Sequence, residues 1–264
     1  MLLSVRLSDQ ASNNLMPTVH STIYMYAGLT TRIIPFNVGI KMRQQTLHLF
    51  GHSICPYVQR VAILMKEKNI QCERTDIELH NKPQWLNKIS PLAKVPVLVI
   101  DDHIPLFESQ VICDYLDEVT PGSLQPKDVL EKAQQRAWIA YADEILGSIA
   151  KIIYRDKNHE SFDESCSNIF AHLKILEQII SADGYFSATR FYLIDAVYGT
   201  VFRYFKVLFS HLNQNPFHDF PKVEKWQQAL SERKSVIEAV ANDYDQQLVK
   251  FIQKQNSYIS HLVS

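Results

Sequence analysis

The sequence lacks the features of a disulfide-stapled, membrane-spanning or strongly charged protein. Its 264 residues include four cysteines, whose spacing suggests neither a disulfide framework nor a paired C-x-x-C metal site. No apolar run reaches the length that a membrane-spanning helix needs. The formal net charge is -1, which gives no electrostatic reason to propose a nucleic acid or a membrane as partner. We therefore predict a globular protein without metal, in a reducing, cytoplasmic compartment.

The first stretch, residues 1–45, has no sustained apolar period and one acidic residue, Asp9. Its apolar part after Met1 is too short for the core of a signal peptide. We favour a poorly ordered extension, or a start wrongly placed upstream of Met42. A transit peptide stays open because the segment is basic and rich in hydroxyl groups, and a structural addition also stays open.

From Thr46 the pattern predicts alternating strands and helices. The segments TLHLF, CERTDIEL, VPVLVI and IPLF have the short alternating or β-branched character of strands. Helical periods follow Pro56 and include ESQVICDYLDE, and NKPQWLNKIS holds a helical turn. In the first helix we expect Arg60, Lys66 and Glu67 to face away from the core. The order over residues 46–120 is β-α-β-α-β-β-α, with parallel strands joined by helices and a terminal hairpin.

Residues 121–127 form a predicted linker, punctuated by Pro121, Gly122 and Pro126. Over residues 128–264 only helical periods appear, and about five helices is the economical interpretation. The predicted fold class is therefore an α/β domain followed by an all-α domain.

Cys55 stands directly before Pro56, at the predicted start of a helix. Proline is favoured in the first helical turn, which places Cys55 at or near the N-cap. Free N–H groups and the helix dipole stabilise an anion there, so we predict a lowered thiol pKa and a nucleophilic sulfur. His52 would add to this effect if charged, although a solvated loop histidine is the ordinary interpretation. The alternative for Cys55 is a buried small hydrophobe.

Val58 stands where a C-x-x-C motif would place its second cysteine. A lone attacking thiolate forms a mixed disulfide that an external thiol must resolve, so the sequence indicates a small thiol cosubstrate. A cis bond at Val95-Pro96 would free the Val95 backbone for an extended peptide, and Glu108-Ser109 opens a helix that offers N–H groups to a carboxylate. Two lysines flank the same end of the sheet, Lys82 and Lys94.

Three segments, CPYVQRVAILMKEKNI, NKPQWLNKISPLAKVPVL and LFESQVICDYLDE, resemble the cytosolic glutathione transferases. The cysteine and NKPQW resemble the omega class and its bacterial relatives. The resemblance extends from Thr46 to the C-terminus, where the helical part is similar mainly in layout. It implies a thioredoxin-like domain followed by an all-helical domain, glutathione as cosubstrate, no metal, and a homodimer.

The resemblance also implies roles for single residues. Cys55 matches the catalytic cysteine that forms a mixed disulfide with glutathione. The implied glutathione contacts are Val95 and Pro96 for the cysteinyl unit, Glu108 and Ser109 for the γ-glutamyl end, Lys82 for the glycyl carboxylate and, more weakly, Lys94. The acceptor site is expected between the domains, against the first helical hairpin and the Asp195 helix. The other cysteines, Cys72, Cys113 and Cys166, are interpreted as structural.

The segment ATRFYLIDAVYG departs from the family pattern. It keeps the structural Asp195, but Tyr192 stands where a hydroxyl cap belongs and Ala188 where glycine is usual. Tyrosine cannot fold its hydroxyl onto the nearby backbone, so we expect a weaker helix start that lowers stability by about 1 kcal/mol.

Two functions are consistent with these residues. The first is a glutathione-dependent thiol transferase, active in deglutathionylation and dehydroascorbate-type reduction and weak in conjugation. The second is a non-catalytic binding or regulatory protein, such as a polymerase-associated stringent-starvation-type factor. The complete set of implied glutathione contacts favours the enzyme.

Overall fold

The structure is a computed structural model that describes residues 45–78, 80–181, 183–212 and 215–263. The interpretations of residues 1–45 therefore lie outside the described residues, apart from Gln45. The described residues form one compact unit, so the predicted boundaries at 46–120, 121–127 and 128–264 stay a prediction. No helix within these ranges is long and apolar enough to cross a membrane.

The first part of the described chain has the predicted order β-α-β-α-β-β-α. Its elements are β1 (Leu47–Gly51), α1 (Pro56–Glu67), β2 (Glu73–Asp76), α2 (Leu86–Ile89), β3 (Val97–Ile100), β4 (Ile104–Phe107) and α3 (Ser109–Val119). The strands form one sheet in the order β2-β1-β3-β4. β1 is parallel to β2, whereas β3 is antiparallel to both β1 and β4. The predicted parallel arrangement is wrong for β3, because an apolar period identifies a strand without revealing its direction.

The second part is helical. Its elements are α4 (Val129–Tyr154), α5 (His159–Ile179), α6 (Leu193–Ser210), α7 (Pro221–Glu232), α8 (Lys234–Ile237), α9 (Tyr244–Gln253) and a final 3-10 turn (Ile259–His261). Within the described ranges, five of these helices have ten residues or more, which agrees with the predicted number.

Helix α1 is covered by two helices, α3 and α6. Arg60, which the sequence predicted to face away from the core, is buried. Its side chain is 1% exposed, and its guanidinium pairs with the Asp143 carboxylate of α4 at 2.8 Å. A single apolar stripe cannot reveal a helix that is buried on more than one side, and a buried charge needs such a partner.

Helix α6 begins at a buried carboxylate. Asp195 accepts hydrogen bonds from the Tyr192 N–H at 2.8 Å, the Phe186 N–H at 2.9 Å and the Trp226 indole N–H at 2.7 Å. The Tyr192 side chain makes no capping hydrogen bond. The ring is half-buried instead, with the Arg190 guanidinium 5.0 Å from its centroid. This ring contact compensates in part for the stability that is lost with the hydroxyl cap.

The turn before α6 contains a strained alanine. Ala188 has a φ of 71°, in the left-handed region that favours glycine, and its carbonyl accepts the Tyr185 N–H at 2.9 Å. This conformation costs an L-residue with a Cβ roughly 1–2 kcal/mol. This positive φ explains why the resemblance implies a glycine at position 188.

Replacing Ala188 with glycine should raise the free energy of unfolding by about 1 kcal/mol, because glycine relieves the left-handed strain. The matched control is Ala171→Gly on the exposed side of α5, which should lower it by about 1 kcal/mol. Urea unfolding of the two variants beside the wild type measures both changes. Equal destabilisation by both substitutions would contradict the assigned strain.

Candidate active site

Cys55 is the N-cap residue of α1, with φ -69° and ψ 122°, and Pro56 is the first residue of the helix. The Cys55 N–H donates to the His52 carbonyl at 3.0 Å, which closes the loop between β1 and α1. Cys55 is partly exposed as a residue, although its thiol is largely desolvated. The predicted position at the mouth of the helix is therefore correct.

The predicted lowering of the Cys55 pKa is wrong. Burial raises the pKa of the thiol, and the N–H groups of Val58 and Tyr57, which lower it, do not fully compensate. Burial also lowers the pKa of His52, which disfavours the charged ring that would have supported the thiolate. A helix N-terminus is visible in the sequence, whereas the desolvation of the sulfur depends on the tertiary packing around it.

One cavity of about 380 Å³ brings the predicted site residues together. It is lined by all seven of them: Cys55, Lys82, Lys94, Val95, Pro96, Glu108 and Ser109. Tyr57, Leu92, Phe107 and Asp143 are among its other walls. We refer to this cavity as the cleft. The structural residue, Asp195, lies elsewhere, at the start of α6.

The Val95-Pro96 peptide bond is cis, as the resemblance implied. The Cys55 sulfur lies 4.0 Å from the Val95 carbonyl oxygen. The backbone that precedes β3 thus faces the thiol across the cleft.

Glu108 and Ser109 lie at the start of α3. Glu108 is the N-cap residue with a φ of 67°, and Ser109 begins the helix and is 7% exposed. A positive φ is uncommon in a residue other than glycine and tends to occur at functional sites. No sequence pattern signalled this conformation.

The two lysines are exposed side chains on the loop around α2. The Lys82 ammonium donates to the Ala93 carbonyl at 2.9 Å. The Ser90 hydroxyl donates to the Lys94 carbonyl at 3.0 Å, and the Lys94 N–H donates back to that hydroxyl at 3.1 Å. These bonds fix the loop that carries Val95 into the cleft.

Asp143 of α4 is a cleft residue that the sequence analysis missed. Its carboxylate pairs with the buried Arg60 of α1, so the helical part contributes a charge to the cleft and anchors α1 at the same point. The two residues are 83 positions apart. No local pattern could have paired them.

An aromatic group lies beside the thiol on the helical side. The Tyr154 ring at the end of α4 is 6.0 Å from that of Phe251 in α9, which in turn contacts His52. The pKa of Tyr154 is raised by burial and by the negative charge of an ionised Cys55. The end of α4 and α9 thus place aromatic rings near Cys55, while the acceptor site itself stays a prediction.

Comparison with known proteins gives the same family. Residues 49–124 match the family model described as glutathione S-transferase, N-terminal domain. The chain is 28% identical to glutathione S-transferase omega-1 of Sus scrofa over 191 residues, which cover 70% of this chain and 76% of that protein. It is 29% identical to glutathione S-transferase U28 of Arabidopsis thaliana over 185 residues, or 69% and 82% of the two chains. Residues 49–124 are thus identified as a glutathione S-transferase N-terminal domain.

A solved structure agrees with the predicted fold class. The glutathione S-transferase of Methylobacillus flagellatus KT, determined with GSH bound, matches with a TM-score of 0.67 at 23% identity, over 74% of this chain and 99% of that one. At this level of identity the likeness shows the glutathione transferase fold. The omega-1 protein and the U28 protein match this chain at nearly equal identity. The class of this chain therefore has to be argued from its own site residues.

Cys55 should be the first of the four cysteines to react with iodoacetamide. Burial raises the pKa of Cys72 to about 11 and those of Cys113 and Cys166 to about 12. Because the Cys55 pKa is itself raised, its ionised fraction should still increase from about pH 7 to about pH 9. Peptide mapping by mass spectrometry gives the rate at each cysteine, and a Cys55 rate that is already constant near pH 7 would contradict the raised pKa.

Proposed function

We propose that this protein is an omega-like glutathione-dependent thiol transferase that uses Cys55 as its single nucleophile. The observation that carries the proposal is the cleft, in which the thiol of the helix-capping Cys55 faces the Val95 backbone. Val58 occupies the position of a second cysteine, so no internal disulfide can form at the C-x-x-C spacing. An external thiol must complete the cycle.

The lining of the cleft suits glutathione, a small peptide with one ammonium and two carboxylates. Lys82 and Lys94 offer positive charge to the carboxylates, and the first N–H groups of α3 beside Ser109 offer an anion site. Glu108 offers a carboxylate to the ammonium group. The backbone of Val95 is available to the cysteinyl unit.

The proposed reaction exchanges disulfides in two steps. The Cys55 thiolate attacks the glutathione sulfur of a substrate disulfide, forms a Cys55–glutathione disulfide and releases the substrate thiolate, which takes up a proton. A second glutathione, as its thiolate, attacks the glutathione sulfur of that disulfide, forms glutathione disulfide and releases the Cys55 thiolate. The substrate disulfide is reduced, and glutathione supplies the electrons.

The cytoplasm and a homodimer are part of the same proposal. Glutathione is abundant in a reducing compartment, where Cys55 stays a thiol. Large apolar side chains are exposed on β4, α3 and the start of α4, and a second copy would cover them: Ile104, Phe107, Val111, Val129 and Leu130.

The raised pKa of Cys55 favours one second candidate, a glutathione-binding or regulatory protein without turnover. A thiol whose neutral form is favoured by burial is less reactive at neutral pH. Such a protein would bind glutathione in the cleft without catalysing disulfide exchange.

Replacing Cys55 with serine should abolish glutathione-dependent reduction of a small mixed disulfide. The oxidised wild-type protein should carry one glutathione by intact mass, and the variant none, because serine cannot form the disulfide. Cys72→Ser, which alters the other partly exposed cysteine, is the matched control and should keep both properties. Glutathione affinity without turnover or adduct in the wild type would favour the non-catalytic candidate.

Replacing Lys82 with methionine should raise the KM for glutathione about fivefold and leave kcat unchanged, because an exposed charge contact contributes up to about 1 kcal/mol. Lys88→Met is the control, since Lys88 is equally exposed in α2 but does not line the cleft. Steady-state kinetics at saturating acceptor measures both constants. An equal change in the two variants would contradict a Lys82 contact with glutathione.

A further inference from the structure

The peptide bond before Cys55 is held by a residue of the helical part. The Ile54 carbonyl accepts a hydrogen bond from the Tyr204 hydroxyl of α6 at 2.7 Å and a second from the Gln59 side-chain amide of α1 at 3.2 Å. The N–H on the other side of the same peptide, that of Cys55, donates to His52 at 3.0 Å. We call this arrangement the Ile54 clamp.

The clamp is buried and has further support. Gln59 is fully buried and Tyr204 is 6% exposed. Arg203, next to Tyr204 in the sequence, donates to the Gln59 side-chain oxygen and to the Val236 carbonyl of α8. The Gln59 amide is therefore fixed in the orientation in which its N–H group points at Ile54.

A carbonyl oxygen has two lone pairs, and both are used here. With its N–H also bonded, the Ile54–Cys55 peptide plane cannot rotate without breaking hydrogen bonds in a buried place, which is costly. The orientation of this plane sets where the Cys55 side chain leaves the backbone. It thereby sets how the sulfur meets the N–H groups of Tyr57 and Val58.

We propose that Tyr204 and Gln59 are positioning residues for Cys55, and that their bonds to the Ile54 carbonyl hold the sulfur at the N-terminus of α1. In its catalytic meaning this inference rests on the proposed function, since a positioned thiol matters for turnover only if Cys55 is the nucleophile. Neither residue lines the cleft, so both act through the backbone rather than on a substrate.

The substitution Tyr204→Phe removes only the hydroxyl and keeps the ring that fills the core. The sulfur stays desolvated but is no longer held at the N-terminus of α1, so the thiolate becomes less stable. Other ionisable groups within electrostatic reach of Cys55 are retained, namely Arg60, Arg74, Tyr57 and Tyr154. Tyr204 itself is neutral at every working pH, because burial holds its pKa well above the ordinary value.

The structure offers a matched control on the same helix. Tyr198 is also buried, and its hydroxyl also donates to a backbone carbonyl, that of Trp138 in α4, at 3.0 Å. Tyr198→Phe thus deletes a comparable hydrogen bond that has no link to Cys55. Thermal unfolding of both variants checks that their losses of stability are similar.

The test is the rate of Cys55 alkylation by iodoacetamide against pH, measured by peptide mapping on the full chain. We expect Tyr204→Phe to raise the apparent pKa of Cys55 by about 0.5 to 1 and to slow alkylation about three- to tenfold at neutral pH. Tyr198→Phe should reproduce the wild-type profile. Gln59→Met should act in the same direction as Tyr204→Phe, provided that it folds.

Two outcomes overturn the inference. The first is a wild-type pH profile of alkylation in Tyr204→Phe. The second is an equal shift in Tyr204→Phe and Tyr198→Phe, which would mean that either lost hydrogen bond simply loosens the packing around α6. Alkylation needs no glutathione, so its result is separate from the fate of the proposed function. If the wild type shows neither turnover nor adduct while Tyr204→Phe still shifts the profile, the positioning role stands and the thiol transferase proposal fails. If turnover is present, kcat should fall in Tyr204→Phe more than the KM for glutathione rises.

Discussion

Helix α6 is buried over most of its surface, and both parts of the chain pack against it. Fifteen of its 18 residues are buried and only Lys206 and Ser210 are exposed, so the helix requires neighbours on most sides. Those neighbours include α1 from the sheet part and α4, α7, α8 and α9 from the helical part.

Burial on this scale decides what the polar side chains of α6 must do. A buried hydroxyl or carboxylate needs a partner, and for Asp195, Tyr198 and Tyr204 the partners include backbone groups of other segments. Asp195 takes N–H groups from the turn before the helix, Tyr198 reaches the Trp138 carbonyl of α4, and Tyr204 reaches Ile54. The need to satisfy these groups therefore ties the helical part to the loop that presents the thiol.

Local features of the fold and the site were predictable from the sequence. The element order, the helix start at Cys55-Pro56 and the strained place at Ala188 depend on neighbouring residues or on motifs that resemble the family. The direction of β3, the burial of Arg60 and the sign of the Cys55 pKa shift were not predictable. Each depends on contacts between distant positions, such as Arg60 with Asp143, which no period or motif contains.

The Cys55 pKa shift bears on the two steps of a disulfide exchange in opposite ways. A thiolate of higher pKa is intrinsically the stronger nucleophile but the poorer leaving group. Burial of the sulfur thus lowers the fraction of Cys55 that is ionised when it attacks the substrate disulfide. It also slows the release of Cys55 from its mixed disulfide. The N–H groups of Tyr57 and Val58 act against burial in both steps, because the thiolate is the reactant of one and the product of the other. Their alignment with the sulfur therefore matters more here than at an exposed helix start, where water would solvate the anion.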